Sequence, residues 1–254
     1  MLVATVRARR QLARTPGIVR WASVVGSPTE FWTLTVWSGV HELQEFMRSG
    51  VHGDVMWKMP RWLESFWLAR WRPGAREVGA WEGLALSRGA APARFDGGGA
   101  EEGAEFVRRA LAAGTLTYEQ SPLVRRSRAR LADLGGVVVR VSGPTRALPG
   151  SLRALRRLRR ALRDDPSLIR VFVGGARFRD AYLFALWRDP ESARRLVDGD
   201  WARGARERWG ERLWILEWLP ENEFGHWDGL RMRALAPARG ARRSPGGRET
   251  RPSA

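Results

Sequence analysis

Several residue types are missing or scarce in this 254-residue chain, and each scarcity excludes a class of protein. Cysteine is absent, so disulfide frameworks, thiolate metal sites, iron–sulfur clusters and cysteine nucleophiles are excluded. No apolar run approaches the roughly 18 residues of a membrane span. Arg7 interrupts the N-terminal segment before the apolar region of a signal peptide could form. We therefore predict a cytoplasmic protein.

Lysine is nearly absent as well, because Lys58 is the only one among 44 lysine and arginine residues. The formal net charge is +17, but it is concentrated in two segments. Residues 121–163 carry twelve arginines against Asp133, and residues 235–254 carry five arginines against Glu249. The rest of the chain is nearly neutral, so we predict no specific nucleic-acid partner. The arginine-rich helix over 151–164 could contact an anionic membrane surface, or it could present an ordinary solvated face.

What the sequence does contain is an internal repeat. Shifted by 150 residues, residues 1–37 match residues 151–187 without a gap at nine identical positions, where about three would occur by chance. Further along, both copies end in Gly-x-Trp-acid-Gly-Leu, at residues 79–84 and 225–230. The matches keep their order, so the chain is a tandem duplication.

Comparison of the two copies predicts the secondary structure of each. Leucines at helical spacing predict helices over 2–14 and 151–164, and alternating apolar residues predict the strands. Two further helical stretches and a tryptophan-bearing strand complete each copy. The predicted strands are Ile18–Val25, Phe31–Trp37, a strand with Trp67 and Trp71, Gly136–Val141, Leu168–Val173, Tyr182–Trp187 and a strand with Trp214 and Trp218, and the remaining helices are Glu42–Arg48, Val55–Leu63, Glu101–Ala113, Ser192–Val197 and Ala202–Trp209.

This order predicts an α+β protein of two tandem ferredoxin-like (βαββαβ) units. Residues 1–88 form the first unit and residues 136–234 the second. Residues 89–135 form a connector with one helix, and residues 235–254 a disordered basic tail. The first unit lacks its opening strand. Either its sheet is completed differently or the chain begins upstream of Met1, and we expect the second.

Two stretches carry a resemblance to a known superfamily. Phe31–Trp37 followed by Phe46-Met47-Arg48-Ser49-Gly50-Val51-His52 resembles the dimeric α/β-barrel superfamily, which includes the antibiotic-biosynthesis monooxygenases. Two such units with Arg14-Thr15-Pro16-Gly17-Ile18 and the closing Gly-x-Trp-acid-Gly resemble the spheroidene monooxygenase family more closely. The resemblance implies an intrachain dimeric α/β barrel, a haem b cofactor and an acyclic carotenoid substrate, with dioxygen and an electron donor as further partners.

His52 is the candidate haem ligand and catalytic residue. Only three histidines are present, and His52 alone lies in a stretch that resembles the superfamily motif. The repeat places Ala202 at its equivalent, as expected for one functional site in two units. The alternative is an ordinary residue at the start of a surface helix. In a cofactor-free oxygenase, His52 would instead act as a base. Tyr118 and Tyr182 are the alternative haem ligands.

Arg20 and Arg170 are candidate cofactor-binding residues because they recur at matched strand positions. Each could bind a haem propionate or a substrate carboxylate through two hydrogen bonds. The alternative, which we favour, is an ion pair across the following turn, with Glu30 and Asp180 respectively.

The functional prediction is a haem-dependent monooxygenase of a hydrophobic substrate. A non-catalytic haem- or lipophile-binding barrel and a cofactor-free oxygenase remain alternatives. No phosphate-binding loop, metal-spaced histidine and acid cluster, or nucleophile elbow is present in the sequence.

Overall fold

The structure is a computed structural model that describes residues 2–48, 50, 52, 63–87, 131 and 133–235. The predicted connector helix and the basic tail beyond Leu235 lie outside the described residues. The predicted helix over 55–63 lies outside them except for Leu63. Within the described residues, no helix is long and apolar enough to cross a membrane.

The described chain alternates between helices and strands much as the repeat predicts. The strand predictions are confirmed to within a few residues, and the longest strands exceed their predicted length. The helices are α1 (Leu2–Leu12), α2 (Val40–Arg48), α3 (Leu148–Leu162), α4 (Pro190–Asp198), α5 (Asp200–Trp209) and α6 (Met232–Leu235). The strands are β1 (Ile18–Val25), β2 (Phe31–Trp37), β3 (Trp67–Gly79), β4 (Gly135–Ser142), β5 (Leu168–Ala176), β6 (Asp180–Trp187) and β7 (Leu213–Gly225).

All seven strands belong to one curled antiparallel sheet, in the order β2-β1-β5-β6-β4-β7-β3. Strands at matched repeat positions are neighbours, since β1 pairs with β5 and β3 pairs with β7. The two contacts differ in extent. The β3–β7 ladder runs from Trp67 opposite Gly225 to Gly79 opposite Trp214, whereas β1 and β5 share the single pair Val25–Gly175. Strands β2 and β3 are the two edges.

The convex face of the sheet is covered by the helices of the second repeat copy. Alternation along β4 sends its odd-numbered valines, such as Val137 and Val139, into a core with α3, α4 and α5. The α3 leucines Leu155 and Leu158 are buried against this face, as their helical spacing predicts. The arginines between them, such as Arg156, are exposed, so this face of α3 meets solvent.

The opposite, concave face carries a second core that is rich in aromatic side chains. Val138 of β4 points into it, together with Trp214 and Trp218 of β7. Two isolated bridges, Trp81 with Leu84 and Trp227 with Leu230, form the Gly-x-Trp-acid-Gly-Leu turns, and both tryptophans are buried in this core. The curled sheet therefore wraps around an aromatic interior, and this interior contains the candidate site.

Candidate functional site

A cavity of about 490 Å³ lies on the concave side of the sheet. Both edge strands contribute to its wall: β2 through Trp32 to Trp37 and β3 through Trp67 to Pro73. Helix α2 adds Met47. Cavities of this size that are walled mainly by apolar and aromatic groups typically bind small organic molecules. The large aromatic side chains in the wall are Trp32, Trp37, Trp67, Trp71, Phe172, Tyr182, Phe184 and Trp218.

Aromatic contacts connect the strands across the interior. The ring centroids of Trp32 and Trp67 are 5.5 Å apart in an edge-to-face arrangement, although the two residues belong to opposite edges of the sheet order. Trp227 packs against both, at 4.4 Å from Trp32 and 5.7 Å from Trp67. Phe184 packs edge-to-face on Trp71 at 5.4 Å. These packed rings fix the wall and offer flat surfaces to a flat apolar ligand.

A buried charge network lies beside Tyr182, one of the polar groups in the wall. Arg140 stands directly opposite Tyr182 in the β4–β6 ladder. Its Nη2 donates to Asp180 Oδ1 at 3.0 Å and to Glu82 Oε1 at 3.1 Å. The side chains of Arg140 and Asp180 are only 4% and 2% exposed. Burial raises the pKa of Tyr182 well above its ordinary value, although the positive charge of Arg140 acts in the opposite direction. Tyr182 is therefore a neutral phenol at physiological pH.

Glu82 joins this network to two more arginines. Its carboxylate lies 3.7 Å from Arg20 Nε and 3.7 Å from Arg177 Nη1. Arg20 also donates to the backbone carbonyls of Trp81 and Glu82 itself, at 3.2 and 2.9 Å. Burial lowers the pKa of Arg20, and Glu82 opposes that effect. The network therefore fastens the first Gly-x-Trp-acid-Gly-Leu turn to the sheet.

Carboxylates of β7 line another part of the cavity. Glu221 is buried and faces Arg70 Nε at 3.5 Å and Arg72 Nε at 4.0 Å. Glu223 Oε2 accepts hydrogen bonds from Trp67 Nε1 at 3.1 Å and from the Met232 backbone at 2.8 Å. These acids are held by cations and N–H groups, so they shape the wall rather than stand ready as bases.

Trp218 contributes a buried donor to the wall. Its side chain is 5% exposed, and its Nε1 has no hydrogen-bond partner among the described residues. Trp37, another wall tryptophan, differs in this respect, because its Nε1 donates to Thr35 Oγ1 at 2.9 Å. A buried indole N–H normally finds an acceptor.

His52 does not line the cavity, and neither do the other two histidines. Its imidazole ring packs against the ring of Phe46 in helix α2, with 4.3 Å between the ring centroids. Its backbone N–H donates to Gln11 Oε1 at 2.9 Å. Burial lowers the pKa of His52 despite a hydrogen bond with the Met47 backbone, and its Nδ1 has no hydrogen-bond partner among the described residues. Its imidazole is therefore neutral at pH 7.

The other two histidines and the candidate tyrosines fall in separate places. His41 is exposed on helix α2, and its Nε2 lies 3.7 Å from Glu45 Oε1. His226 accepts a hydrogen bond from the Gly229 backbone at 3.0 Å through Nδ1. Tyr182 lines the cavity, and Tyr118 lies outside the described residues. Within the described part of the chain, no group of three or more histidines and acids could hold a metal ion.

Arg20 and Arg170 occupy equivalent places beside the two repeated turns, and neither lines the cavity. Arg20 binds the first turn through the contacts described above. The guanidinium carbon of Arg170 lies 5.8 Å from the ring centroid of Trp227 in the second turn. Their recurrence in the sequence is explained by contacts to the turn of the same copy.

The predicted ion pairs across the hairpins are wrong because of strand register. Arg20 stands opposite Val36, whereas the β1–β2 turn that contains Glu30 closes next to the pair Val25–Phe31. Five residues of strand separate the two levels, about 17 Å, which is more than the two side chains can span. The same holds in the second hairpin, where Arg170 faces Leu186 at the end remote from Asp180. The actual partner of Asp180 is Arg140.

Arg140 and Glu82 are the site residues that sequence reasoning missed. One signal was available, because an arginine in the apolar run Val-Val-Val-Arg-Val of β4 must be buried and a buried charge needs partners. Nothing in the sequence indicates that Glu82, 58 residues away, would be one of them. The unpaired state of the Trp218 indole depends wholly on tertiary packing.

Comparisons with known proteins add a distant structural likeness. No protein-family model matches the sequence, and no curated protein matches it. A solved structure described as a putative monooxygenase from Fusobacterium nucleatum subsp. nucleatum ATCC 25586 is similar over 88% of this chain and 85% of its own, with a TM-score of 0.34 and 8% identity. An anthrone oxidase-like protein is similar over the same shares, with a TM-score of 0.29 and 14% identity. Likeness of this degree carries no conclusion about activity.

Proposed function

We propose that this chain binds a hydrophobic small molecule in the cavity and acts on it as a monooxygenase. The observation that carries the binding is the cavity itself, about 490 Å³ in volume and walled by packed tryptophan and phenylalanine rings. Flat rings with few polar groups bind flat or polyene ligands by dispersion and by release of water. The activity rests on the sequence resemblance. Monooxygenation would insert one oxygen atom of dioxygen into the substrate and reduce the other to water, with two electrons and two protons from a donor.

The architecture proposed with this function is two ferredoxin-like units that form one barrel. In the second copy, β4 and β6 lie at the centre and β5 and β7 outside, as the crossovers of a βαββαβ unit require. The matched pairs β1–β5 and β3–β7 run antiparallel, which an approximate two-fold axis between the copies would produce. In this proposal the place of the missing opening strand lies between the edges β2 and β3, next to the cavity.

The described residues of the cavity wall do not fit haem. The walls contain no histidine, cysteine is absent from the chain, and the raised pKa of Tyr182 disfavours the phenolate that would bind iron. We therefore derive no step through haem at this site. The cofactor-free alternative needs a base other than His52, since His52 does not line the cavity.

A haem protein with His52 as axial ligand is the second candidate, in which the haem would lie outside the cavity. The observation in its favour is the neutral, half-buried imidazole whose Nδ1 has no partner among the described residues. His52→Ala should abolish or strongly shift a Soret band in protein expressed with haem precursor, while far-UV circular dichroism stays unchanged. His41→Ala and His226→Ala are the matched controls. A Soret band unchanged in His52→Ala, or absent from the parent, would remove this candidate.

Binding in the cavity is tested with fluorene, a flat tricyclic hydrocarbon, by equilibrium dialysis. Leu34→Trp adds bulk to the cavity wall, whereas Phe31→Trp makes a comparable change on the same strand at an exposed position that does not line the cavity. We expect Leu34→Trp to weaken binding at least tenfold and Phe31→Trp to leave it unchanged. Equal binding by both variants would place fluorene elsewhere and overturn the proposal.

Oxygenation is tested separately with ¹⁸O₂. Fluorene and lycopene are each incubated with the protein, ¹⁸O₂ and a reductant, and mass spectrometry detects incorporated label. The proposal expects one labelled oxygen atom in the product, which is lost in Leu34→Trp. Binding without incorporation for either probe would favour the non-catalytic lipophile-binding alternative.

A further inference from the structure

Two side chains of the cavity wall carry hydrogen-bond donors for which the described residues show no acceptor. Tyr182 is 3% exposed and Trp218 is 5% exposed, and both line the cavity. Trp218 Nε1 has no hydrogen-bond partner among the described residues, and the Tyr182 side chain stands opposite Arg140, whose guanidinium has no acceptor to offer its hydroxyl. Leaving a buried donor unpaired costs about 1–3 kcal/mol. A ligand that brings its own acceptor would recover that cost.

Arg140 determines how the Tyr182 hydroxyl can be used. Arg140 stands opposite Tyr182 in the β4–β6 ladder, and a guanidinium carries only donors, so Arg140 cannot accept the hydrogen of the Tyr182 hydroxyl. Asp180 and Glu82 hold Arg140 in place at 3.0 and 3.1 Å. The O–H hydrogen therefore remains available to an acceptor in the cavity.

The two donors lie at different levels of the sheet. Tyr182 faces Arg140 of β4, and Trp218 faces Gly136 of the same strand. Four residues of strand separate these levels, about 13 Å. Phe184, opposite Val138, lies at the level between them and lines the cavity with its ring. The interior thus offers an aromatic surface with one donor near each end.

We propose that the ligand of this cavity is a flat hydrophobic molecule carrying a hydrogen-bond-accepting oxygen, such as a carbonyl, which Tyr182 binds through its hydroxyl. This inference rests on the proposed function and narrows its ligand class, since a pure hydrocarbon would leave both donors unpaired. Trp218 supplies the second donor, for an acceptor at the opposite end of a longer ligand.

The test compares fluorene with 9-fluorenone, two tricyclic molecules of nearly the same shape that differ by a carbonyl oxygen. Equilibrium dialysis gives the Kd of each for the parent chain, Tyr182→Phe and Phe31→Trp. In the parent, we expect fluorenone to bind about tenfold more tightly than fluorene, as one recovered hydrogen bond allows. Tyr182→Phe should abolish this preference while fluorene binding stays unchanged, which also shows that the variant is folded.

Phe31→Trp is the control, because Phe31 is exposed and does not line the cavity. It should keep the fluorenone preference. Equal affinity of the parent for both probes, or a preference that survives in Tyr182→Phe, would overturn the inference and leave the proposed function standing. If neither probe binds the parent chain, the proposed function fails and the inference fails with it.

Discussion

The two Gly-x-Trp-acid-Gly-Leu turns have the same backbone and different surroundings. Their acidic residues Glu82 and Asp228 have φ of 51° and 48°, and the following glycines have φ of 81° and 82°. In both copies an arginine lies 5.8 Å from the tryptophan ring, Arg140 over Trp81 and Arg170 over Trp227. The repeated sequence therefore encodes a turn geometry that only glycine adopts without strain at its next-to-last residue, Gly83 or Gly229.

The two turns differ in the charged side chains around them. Glu82 contacts three arginines, whereas Asp228 is exposed and its backbone N–H donates to Ser65 Oγ at 2.7 Å. The first turn is thus fixed by a charge network beside Tyr182. The second places Trp227 among the rings of Trp32 and Trp67. The two turns therefore share a backbone conformation and differ in the side chains that hold them.

Substitution of the two arginines that contact the turns should give the largest difference in stability. Arg140→Met leaves Asp180 buried without its cation, so the free energy of unfolding should fall by about 3–5 kcal/mol. Arg170→Met removes the contact with Trp227 and should cost about 0.5–1 kcal/mol. Urea unfolding of both variants measures this. Equal losses would mean that the buried network does not distinguish the two turns.

Substitution of the two acidic residues of the turns should give a smaller difference in stability. Glu82→Gln keeps the shape and removes the charge that three arginines share. Because the Glu82 side chain is 44% exposed, water screens much of the attraction, and we expect a loss of about 1–2 kcal/mol. Asp228→Asn at the exposed matched position should change stability by less than about 0.5 kcal/mol. Thermal unfolding at low and high salt tests this, and the Glu82 effect should shrink with salt.

The smallest expected effect concerns the helices that follow the hairpins. Asp189 caps α4 by accepting from the Ser192 backbone at 2.7 Å, and its matched position before α2 is Gly39. Asp189→Ala should cost about 1 kcal/mol at pH 7. Because the pKa of Asp189 is lowered in the fold, a contribution of this cap to the free energy of unfolding that stays constant with pH would contradict the assignment.

The pH dependence of that cap follows from its pKa. Burial raises the pKa of Asp189, but hydrogen bonds from Ser192 outweigh it, so the pKa lies below its ordinary value. A depressed pKa means that Asp189 stabilises the fold above the pKa of the unfolded chain and loses this contribution as pH falls through the folded value. The difference between the parent and Asp189→Ala should therefore shrink in acid.

Most strand positions could be predicted from the sequence because they were visible twice, whereas β4 was predicted from its single run of valines. Side-chain partners could not be predicted, since they depend on register. A hairpin register that sets Arg20 opposite Val36 removes the expected pair with Glu30. The partner of Arg20 instead comes from a turn 62 residues away, which no local pattern indicates.

Nuclear Overhauser effects between bound fluorenone and methyl groups of the protein would show whether the ligand lies in the aromatic interior. The account predicts contacts from the ligand to the methyl groups of Leu34, which lines the cavity. It predicts none to Val25, which is 58% exposed and lies outside the wall. Contacts to Val25 without contacts to Leu34 would show that the ligand binds on the surface, and would contradict the assignment of the aromatic interior as the binding site.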